Sequence, residues 1–284
     1  MIETIVIPKA SDGSDFTIYT SAGYATLLVG QDGFSSPATR IVRDDYPIKH
    51  GGELISQYYK KRRIVLRGML LKTTKALFMS HRRDLIDAFT FNNAEKTMVV
   101  TLMDDTVIQI AVIGISELRM SQKGLMAEWE IEVEANDPIF YSNTLNSETG
   151  YVTTIAGGAT IPATIPLALS GGITNELEIT NSGNAKVYPT SFQIHGPGTN
   201  FVIDNREAGE ALYYNAEIPD GSYVDIDFKT RTALLNGLTN VYTNISGDFW
   251  KVGIGTNTIT LTVGTGSEAG TRIEISWRDG YWGV

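Results

Sequence analysis

The sequence AEWEIEVEANDPIFY, residues Ala127–Tyr141, decides how the rest of the chain is interpreted. Apolar and acidic residues alternate in it without interruption from Glu128 to Ala135. In a β-strand, a period of two places the apolar residues on one face and the carboxylates on the other. Pro138 then ends the strand, because proline has no N–H to donate to a sheet. The stretch therefore predicts a half-buried strand that closes the first part of the chain.

The carboxylates of this strand form a candidate functional face. They are spaced two residues apart and share one side of the strand: Glu128, Glu130, Glu132 and Glu134. An unpaired buried carboxylate costs several kcal/mol, so a row of like charges is expected only where water or counterions reach it.

The residues before this strand predict a mixed α+β unit. Phe16–Val29 indicates two short strands around a turn, and the glycines and prolines of Gly30–Gly52 indicate a long, partly extended loop. Tyr58–Leu71 suits one long strand that enters a core, and its basic start, Lys60 to Arg63, is typical of a solvated strand end rather than a nucleic-acid patch.

One segment predicts a helix, and short strands follow it. Thr74–Phe89 has Thr73 or Thr74 as N-cap and apolar residues at three- and four-residue spacings. The next expected strands form a meander with the opening one: Thr97–Met103, Val107–Ile113 and Ile115–Met120.

The second half of the chain predicts an all-β domain. We divide the sequence into a first domain at 1–145, a linker or extended arm at 146–163 and a second domain at 164–284. Short strands between Gly, Asn and Pro turns favour a β-sandwich. They are Ile165–Leu169, Glu176–Asn181, Thr190–His195, Phe201–Asp204, Ala211–Ala216, Tyr223–Asp227, Ala233–Leu235, Thr258–Val263 and Thr271–Trp277.

Composition and charge limit the partners that the chain could have. The 284 residues contain no cysteine and carry a net charge of −9, of which −2 falls before Leu145 and −7 after it. This acidity disfavours specific nucleic-acid binding and attraction to anionic membranes. No apolar run approaches the ~20 residues of a membrane span, and the N-terminus has no signal-peptide pattern, so we expect no membrane insertion.

No catalytic constellation is recognisable. The three histidines, His50, His81 and His195, lie outside any metal-binding spacing, and no serine has a triad pattern. Adjacent acids such as Asp104 and Asp105 are typical of solvated turns. We therefore expect no cofactor, no metal and no enzymatic activity.

Aromatic residues near the end of the sequence could stack on sugars. Trp277 alternates with Ile273 and Ile275 and is therefore expected in the core. Tyr281 and Trp282 follow the last expected strand and form the freer pair, which makes them the candidates for glycan stacking.

The chain resembles the distal tail protein (Dit) family of long, non-contractile-tailed bacteriophages. In the first half, the resemblance rests on Arg62–Gly68, the helix with Arg82, Arg83, Leu85, Ile86 and Phe89, and the closing Glu134–Tyr141. In the second half, which resembles a galectin-like domain, it rests on the order and spacing of short motifs: Asn181–Ala185 with Pro189, Asn236-Gly237, Asp248–Trp250, Gly255–Ile259 and Ile275–Arg278.

The resemblance implies a structural hub made in the host cytoplasm and carried in the virion at the tail tip or baseplate. The N-terminal domains would form a homo-hexamer, as one ring or two stacked rings, with an axial channel for DNA. The implied partners are the tail tube protein, a tail-tip hub protein, the receptor-binding protein and the tape measure protein.

Two other functions fit the sequence. A carbohydrate-binding β-sandwich module for host-surface glycans would need exposed aromatic rings and no ring assembly. A glycoside-cleaving tail enzyme would need two convergent carboxylates. For the hub, the glutamate row is expected either on the outer surface or in the lumen, where four carboxylates per subunit would repel passing DNA.

Overall fold

A computed structural model describes residues 2–20, 26–46, 48, 50–154, 173–266 and 270–284. The chain forms two compact units: unit 1 is Met1–Asn143 together with Tyr281–Val284, and unit 2 is Thr144–Gly280. Unit 2 is therefore an insertion in the sequence of unit 1. The sequence-based boundary near residues 145–150 lies a few residues beyond the observed one, and the return of Tyr281–Val284 to unit 1 was not predicted.

Unit 1 is built on one sheet and a separate hairpin. Its strands are β1 (Ile2–Pro8), β2 (Asp15–Tyr19), β3 (Thr26–Asp32), β4 (Thr39–Asp45), β5 (Gly52–Tyr59), β6 (Arg62–Leu71), β7 (Lys96–Leu102), β8 (Val107–Gly114), β9 (Arg119–Lys123), β10 (Met126–Ala135), β11 (Phe140–Ser142) and, where the chain returns, β24 (Gly280–Tyr281).

The main sheet has ten strands in the order β24-β11-β8-β7-β1-β2-β3-β6-β10-β9. A further pairing of β8 with β10 joins the two sides, so seven strands form a barrel-like sheet. Apolar side chains fill its interior because they alternate with polar ones along the strands, as in β10. The predicted half-buried strand is confirmed as β10, which pairs with β6, β8 and β9.

Helix α1 (Lys75–Ala88) confirms the helix prediction. The Thr74 side chain accepts a hydrogen bond from the backbone N–H of Leu77, which satisfies one of the free donors of the first turn. Phe78, Leu85 and Ala88 are buried against the core of unit 1. The helix thus covers one part of the barrel-like sheet with its apolar side.

Strands β4 and β5 form a two-stranded sheet of their own, which we call the ribbon (Thr39–Tyr59). The expected loop at Gly30–Gly52 is wrong for the residues of β4. The expected single strand at Tyr58–Leu71 is also wrong, because it divides at Lys60-Lys61 into the end of β5 and the start of β6. Similarly, the strand expected at Ile115–Met120 begins only at Arg119.

Unit 2 consists of two six-stranded sheets. Its strands are β12 (Asn146–Tyr151), β13 (Thr153–Thr154), β14 (Ile173–Asn181), β15 (Ser191–His195), β16 (Gly198–Asn205), β17 (Glu210–Ile218), β18 (Tyr223–Asp227), β19 (Thr232–Leu235), β20 (Thr239–Asn240), β21 (Ile245–Gly247), β22 (Gly255–Gly266) and β23 (Arg272–Trp277), with a short 3-10 helix at Tyr242–Asn244.

The strand orders are β12-β23-β15-β18-β19-β20 in one sheet, called sheet C, and β13-β14-β22-β16-β17-β21 in the other, called sheet D. Inward residues of sheet C such as Phe192 and Ile275 are fully buried, as are Phe201 and Leu261 of sheet D. Trp250 is also fully buried, and its ring lies 4.9 Å from that of Phe228. The fold is mainly β, as predicted.

The region expected to be a linker or extended arm, 146–163, begins inside unit 2. Asn146–Tyr151 is strand β12, which pairs along its whole length with β23, and Thr153-Thr154 pairs with β14. These residues are therefore part of the unit 2 sheets rather than a linker. Residues 155–172, which include the expected strand Ile165–Leu169, lie outside the described residues.

Candidate functional surfaces

The four glutamates of β10 lie on the face of the sheet opposite the core, and basic side chains of the preceding segment and strand β6 pair with three of them. Lys61 Nζ is 3.1 Å from Glu134 Oε1, and Arg67 Nε donates to Glu130 Oε2 at 2.6 Å. Arg63 donates to Glu132, a hydrogen bond that raises the pKa of the guanidinium. We call this set, with Glu128, the charge ladder.

The charge ladder corrects the expectation of a row of like charges. Antiparallel pairing of β10 with β6 brings Arg67 opposite Glu130 and Arg63 opposite Glu134, and pairing with β9 brings Arg119 to the other side of Glu130. The row does reach solvent, since the glutamate side chains of the three ion pairs are 24–42% exposed. Exposed ion pairs of this kind contribute little to stability, because solvent screens them. The result is a charge-balanced face, so four carboxylates do not act together to repel DNA.

A surface cleft of about 450 Å³ lies at the Glu128 end of the charge ladder. Val29 and Met69 give it apolar walls, while Arg67 and Arg119 bring cations and Glu128 an anion to its lining. Val29 is 61% exposed. The cleft therefore combines apolar surface with both signs of charge.

Arg62 is the most deeply buried charged residue of unit 1, at 2% exposure. Its guanidinium donates to four backbone carbonyls, at 2.6 Å to Gly33, 2.5 Å to Ser35, 2.8 Å to Pro138 and 2.6 Å to Trp282. The ring of Phe140 lies 4.5 Å from the guanidinium carbon. Burial lowers the pKa of Arg62 to about 10, so the group stays charged at neutral pH. Sequence reasoning assigned this residue only to a solvated basic run, and that assignment is wrong.

Tyr281 and Trp282 are not the free pair that the sequence suggested. Tyr281 packs against the core of unit 1, and the Trp282 ring lies 4.1 Å from the ring of Tyr59 at the base of the ribbon. Both residues are only partly exposed. Trp277, as expected, is buried, and its indole N–H donates to the carbonyl of Thr180 at 3.0 Å. The surface needed for sugar stacking is thus reduced at Tyr281 and Trp282.

The ribbon exposes large apolar side chains along most of its length. Ile41 is 44% exposed and Tyr58 60%, and their positions in the register place them on opposite faces of the hairpin. Leu54 and Ile55 are exposed at 58% and 61%. A two-stranded sheet alone is only marginally stable in water, so we expect other protein surface to pack against the ribbon.

The histidines and carboxylates do not form a metal site within the described ranges. There, no group of three or more His, Cys, Asp or Glu residues is placed to hold a metal ion. His81 is partly buried, and this burial lowers the pKa of its imidazole. Among the same residues, no helix is long and apolar enough to cross a membrane.

Comparison with known proteins gives a family match for part of the chain and a fold match for nearly all of it. Residues 182–281 match the family model described as siphovirus-type tail component, C-terminal domain. No curated protein sequence matches the chain. The crystal structure of Dit (gp 19.1) from phage SPP1, described as a paradigm of hub adsorption apparatus in phages that infect Gram-positive hosts, is 10% identical, with a TM-score of 0.64, over 96% of this chain and 98% of that one.

A chain of the phage P2 baseplate in its activated conformation with Ca is 9% identical, with a TM-score of 0.47, over 98% of each chain. Apart from Tyr281, the family match lies within unit 2, while the SPP1 likeness shows a common fold that extends over both units. The family match covers 100 of the 284 residues, so the tail-component similarity is shown for that part of the chain. The chain as a whole therefore shares the fold of SPP1 Dit, and its residues 182–281 are similar to the C-terminal domain of siphovirus-type tail components.

Proposed function

We propose that this protein forms a closed homo-hexameric ring, a hub that joins the tail tube to the adsorption apparatus at the tail tip and leaves an axial channel for DNA. The support is the match of residues 182–281 to a tail-component family model and the fold, shared over 96% of the chain with a protein described as an adsorption hub. The tail tube protein and a tail-tip protein are its direct partners in this proposal. Its role is structural rather than enzymatic.

The observation that carries the ring is the ribbon. Its base is held, because the Lys60 N–H donates to the Ala38 carbonyl at 2.7 Å and the ring of Tyr59 packs against that of Trp282. Beyond the base, Ile41, Leu54 and Tyr58 are exposed. Burying apolar area contributes about 25 cal/mol per Å², so covering several such side chains favours association. A neighbouring subunit is the cover that a closed ring supplies to every copy.

The charge distribution suits a channel that DNA passes without being held. Phosphate binding requires clustered Lys and Arg that displace counterions. In unit 1, the exposed cations Arg63 and Arg67 are each paired with a glutamate. We propose that the charge ladder faces this channel, where a balanced surface offers few free cations to the phosphates. The alternative location is the outer wall of the ring.

The ring is tested by measuring the particle mass with light scattering after size exclusion. We expect the parent protein to have the mass of a hexamer or of two stacked hexamers. A double variant, Leu54→Asp with Tyr58→Asp, should shift the mass to that of the monomer, because it places charges where apolar surface must be buried. Leu238→Asp is the matched control, since Leu238 is 87% exposed in unit 2.

The control variant should assemble as the parent does, and circular dichroism should show that all variants keep their β content. A parent protein that stays monomeric across the micromolar range contradicts the ring. A ribbon variant that assembles normally contradicts the role given to the ribbon and leaves the ring itself in place.

A further inference from the structure

The outer face of sheet C in unit 2 carries a row of side chains that crosses four strands. Tyr151 of β12 pairs with Arg272 of β23, Arg272 pairs with His195 of β15, and His195 pairs with Tyr223 of β18. Directly opposite residues in antiparallel strands point to the same face. Two tyrosines thus lie at the ends of one row, three strand spacings or about 14 Å apart. We call these four residues the aromatic row.

The middle of the aromatic row is held in place by one ion pair and by ring contacts. Arg272 Nε donates to Glu274 Oε1 at 2.8 Å, and its guanidinium lies 5.8 Å from the ring of Tyr151. On the other side, the rings of His195 and Tyr223 are 5.5 Å apart. These contacts restrict the side-chain rotamers, so a ligand would lose little side-chain entropy on ordering them.

His195 acts in this row as a spacer rather than as a contact for a ligand. Its Nε2 atom is buried and makes no hydrogen bond to a described residue, although Glu274 Oε1 is 3.4 Å away. Burial and the neighbouring Arg272 lower the pKa of His195, so the imidazole is neutral at pH 7 and the short distance is not an ion pair there. The ring instead fills the space between Arg272 and Tyr223.

A second polar row runs beside the aromatic row. Glu274 pairs with Gln193, and Gln193 pairs with Asp225 on the next strand. All three side chains are partly exposed on the same outer face. Carboxylates accept hydrogen bonds from hydroxyl groups, and an amide both donates and accepts. The two rows together present aromatic rings beside closely spaced donors and acceptors.

This combination selects one class of ligand. Sugar rings have apolar faces that stack on tyrosine and hydroxyl edges that bond to carboxylates, amides and guanidinium groups. The residues after Leu145 carry a formal charge of −7, which disfavours an acidic ligand. We propose that the aromatic row and its polar neighbours bind an uncharged oligosaccharide that lies across the strands between Tyr151 and Tyr223.

Sheet D of the same unit provides the comparison. Its strand β22 places Thr256, Thr258, Thr260 and Thr262 on the outer face. Among the described residues in the strands of this sheet, Tyr213 of β17 is the one large hydrophobic side chain that is exposed, at 39%. A solvated sheet face needs only such small polar residues. The outer face of sheet C instead carries two tyrosines, an arginine and a histidine, which are larger than solvation of a sheet face requires.

The test uses the full-length protein and saturation-transfer NMR, which detects weakly bound sugars on large particles. The probes are maltotriose, cellotriose and the N-acetylglucosamine trimer, with trigalacturonic acid as the charged counterpart. We expect saturation transfer to at least one neutral trimer. Tyr151→Ala and Tyr223→Ala should each weaken its binding about tenfold, the loss expected for one stacked ring. Tyr213→Ala on sheet D should leave it unchanged.

Glu274→Gln is the second kind of variant, because it keeps the shape of the side chain while removing the charge that holds Arg272. We expect it to weaken binding of the same trimer several-fold. Absence of transfer to all three neutral trimers overturns the proposal. So does equal loss in Tyr213→Ala and Tyr223→Ala, or stronger binding of trigalacturonic acid than of the neutral probes. The outcome is independent of the ring, which the particle mass reports separately.

Discussion

The two units differ in how much apolar surface they leave in water. Of the large hydrophobic side chains that are exposed among the described residues, fifteen belong to unit 1 and six to unit 2. Several of the fifteen lie on the ribbon, while unit 2 buries its apolar residues between two sheets. Contiguous exposed apolar surface is typical of interfaces. Both units have a core of their own, so the difference lies in the surface, and the exposed apolar residues of unit 1 are the ones that the proposed ring would cover.

The largest expected effect comes from separating the two units. Residues 144–280 produced alone should be a folded monomer, because their apolar residues are already covered and the net charge of the second half opposes close packing of copies. The full chain should keep the mass of the ring. The measurement is light scattering on both proteins at equal concentration.

The prediction would be contradicted if residues 144–280 alone formed a larger particle than the full chain. The fragment must begin at Thr144, because a start at residue 151 would remove most of strand β12, the edge partner of β23. A fragment that starts at 151 is therefore a useful control, which we expect to be less stable.

A smaller effect is expected for Arg62→Met, which tests how unit 1 holds its own structure. The change leaves four partly buried carbonyls without this donor, and each lost bond costs about 1 kcal/mol, so unit 1 should lose about 3 kcal/mol of unfolding free energy. Denaturant unfolding should show an earlier transition for unit 1 and an unchanged one for unit 2. Arg63→Met is the control, because the Arg63 side chain is 63% exposed.

Equal destabilisation by Arg62→Met and Arg63→Met would show that the carbonyl cluster is not the source of the stability. An earlier transition in unit 2 as well would show that the two units unfold together.

The smallest effect on stability is expected in the charge ladder. Replacing Glu130 and Glu132 by Lys removes two exposed, solvent-screened ion pairs and should lower the free energy of unfolding only slightly, less than Arg62→Met does. The same change adds four positive charges to a balanced face, so rings should retain DNA at low salt and release it as salt rises. Retention is measured by co-sedimentation over a salt series.

The matched control replaces Glu176 and Glu178 of β14, which have the same spacing in unit 2, where Glu176 also pairs with an arginine. We expect it to retain less DNA than the ladder variant. Equal retention by the two variants, or none by either, would contradict a channel position for the charge ladder.

Local patterns predicted much of the fold. The helix was recognisable because Thr74 and the spacing of Leu77, Phe78 and Leu85 are all local signals. Strand β10 and strand β18 were recognisable by alternation, and β18 was placed with both ends correct. These elements can be predicted without knowing which residues pack against them.

Features that depend on long-range pairing were not predictable from local patterns. The charge ladder requires the register between β6 and β10, which are more than fifty residues apart, so the basic run and the glutamate row appeared unrelated. Arg62 was placed among solvated charges because its four acceptors come from three distant segments. Tyr281 and Trp282 looked free because the return of the chain to unit 1 leaves no signature in a strand pattern.

The insertion of unit 2 into unit 1 has a consequence for the order of events during translation. Trp282, whose carbonyl completes the Arg62 cluster, is synthesised after every residue of unit 2. Unit 1 therefore cannot complete its folding on the ribosome until unit 2 has been made, although it starts first. Its exposed ribbon thus gains a fully supported base only late in synthesis, and in the proposed ring this order would delay association between nascent chains.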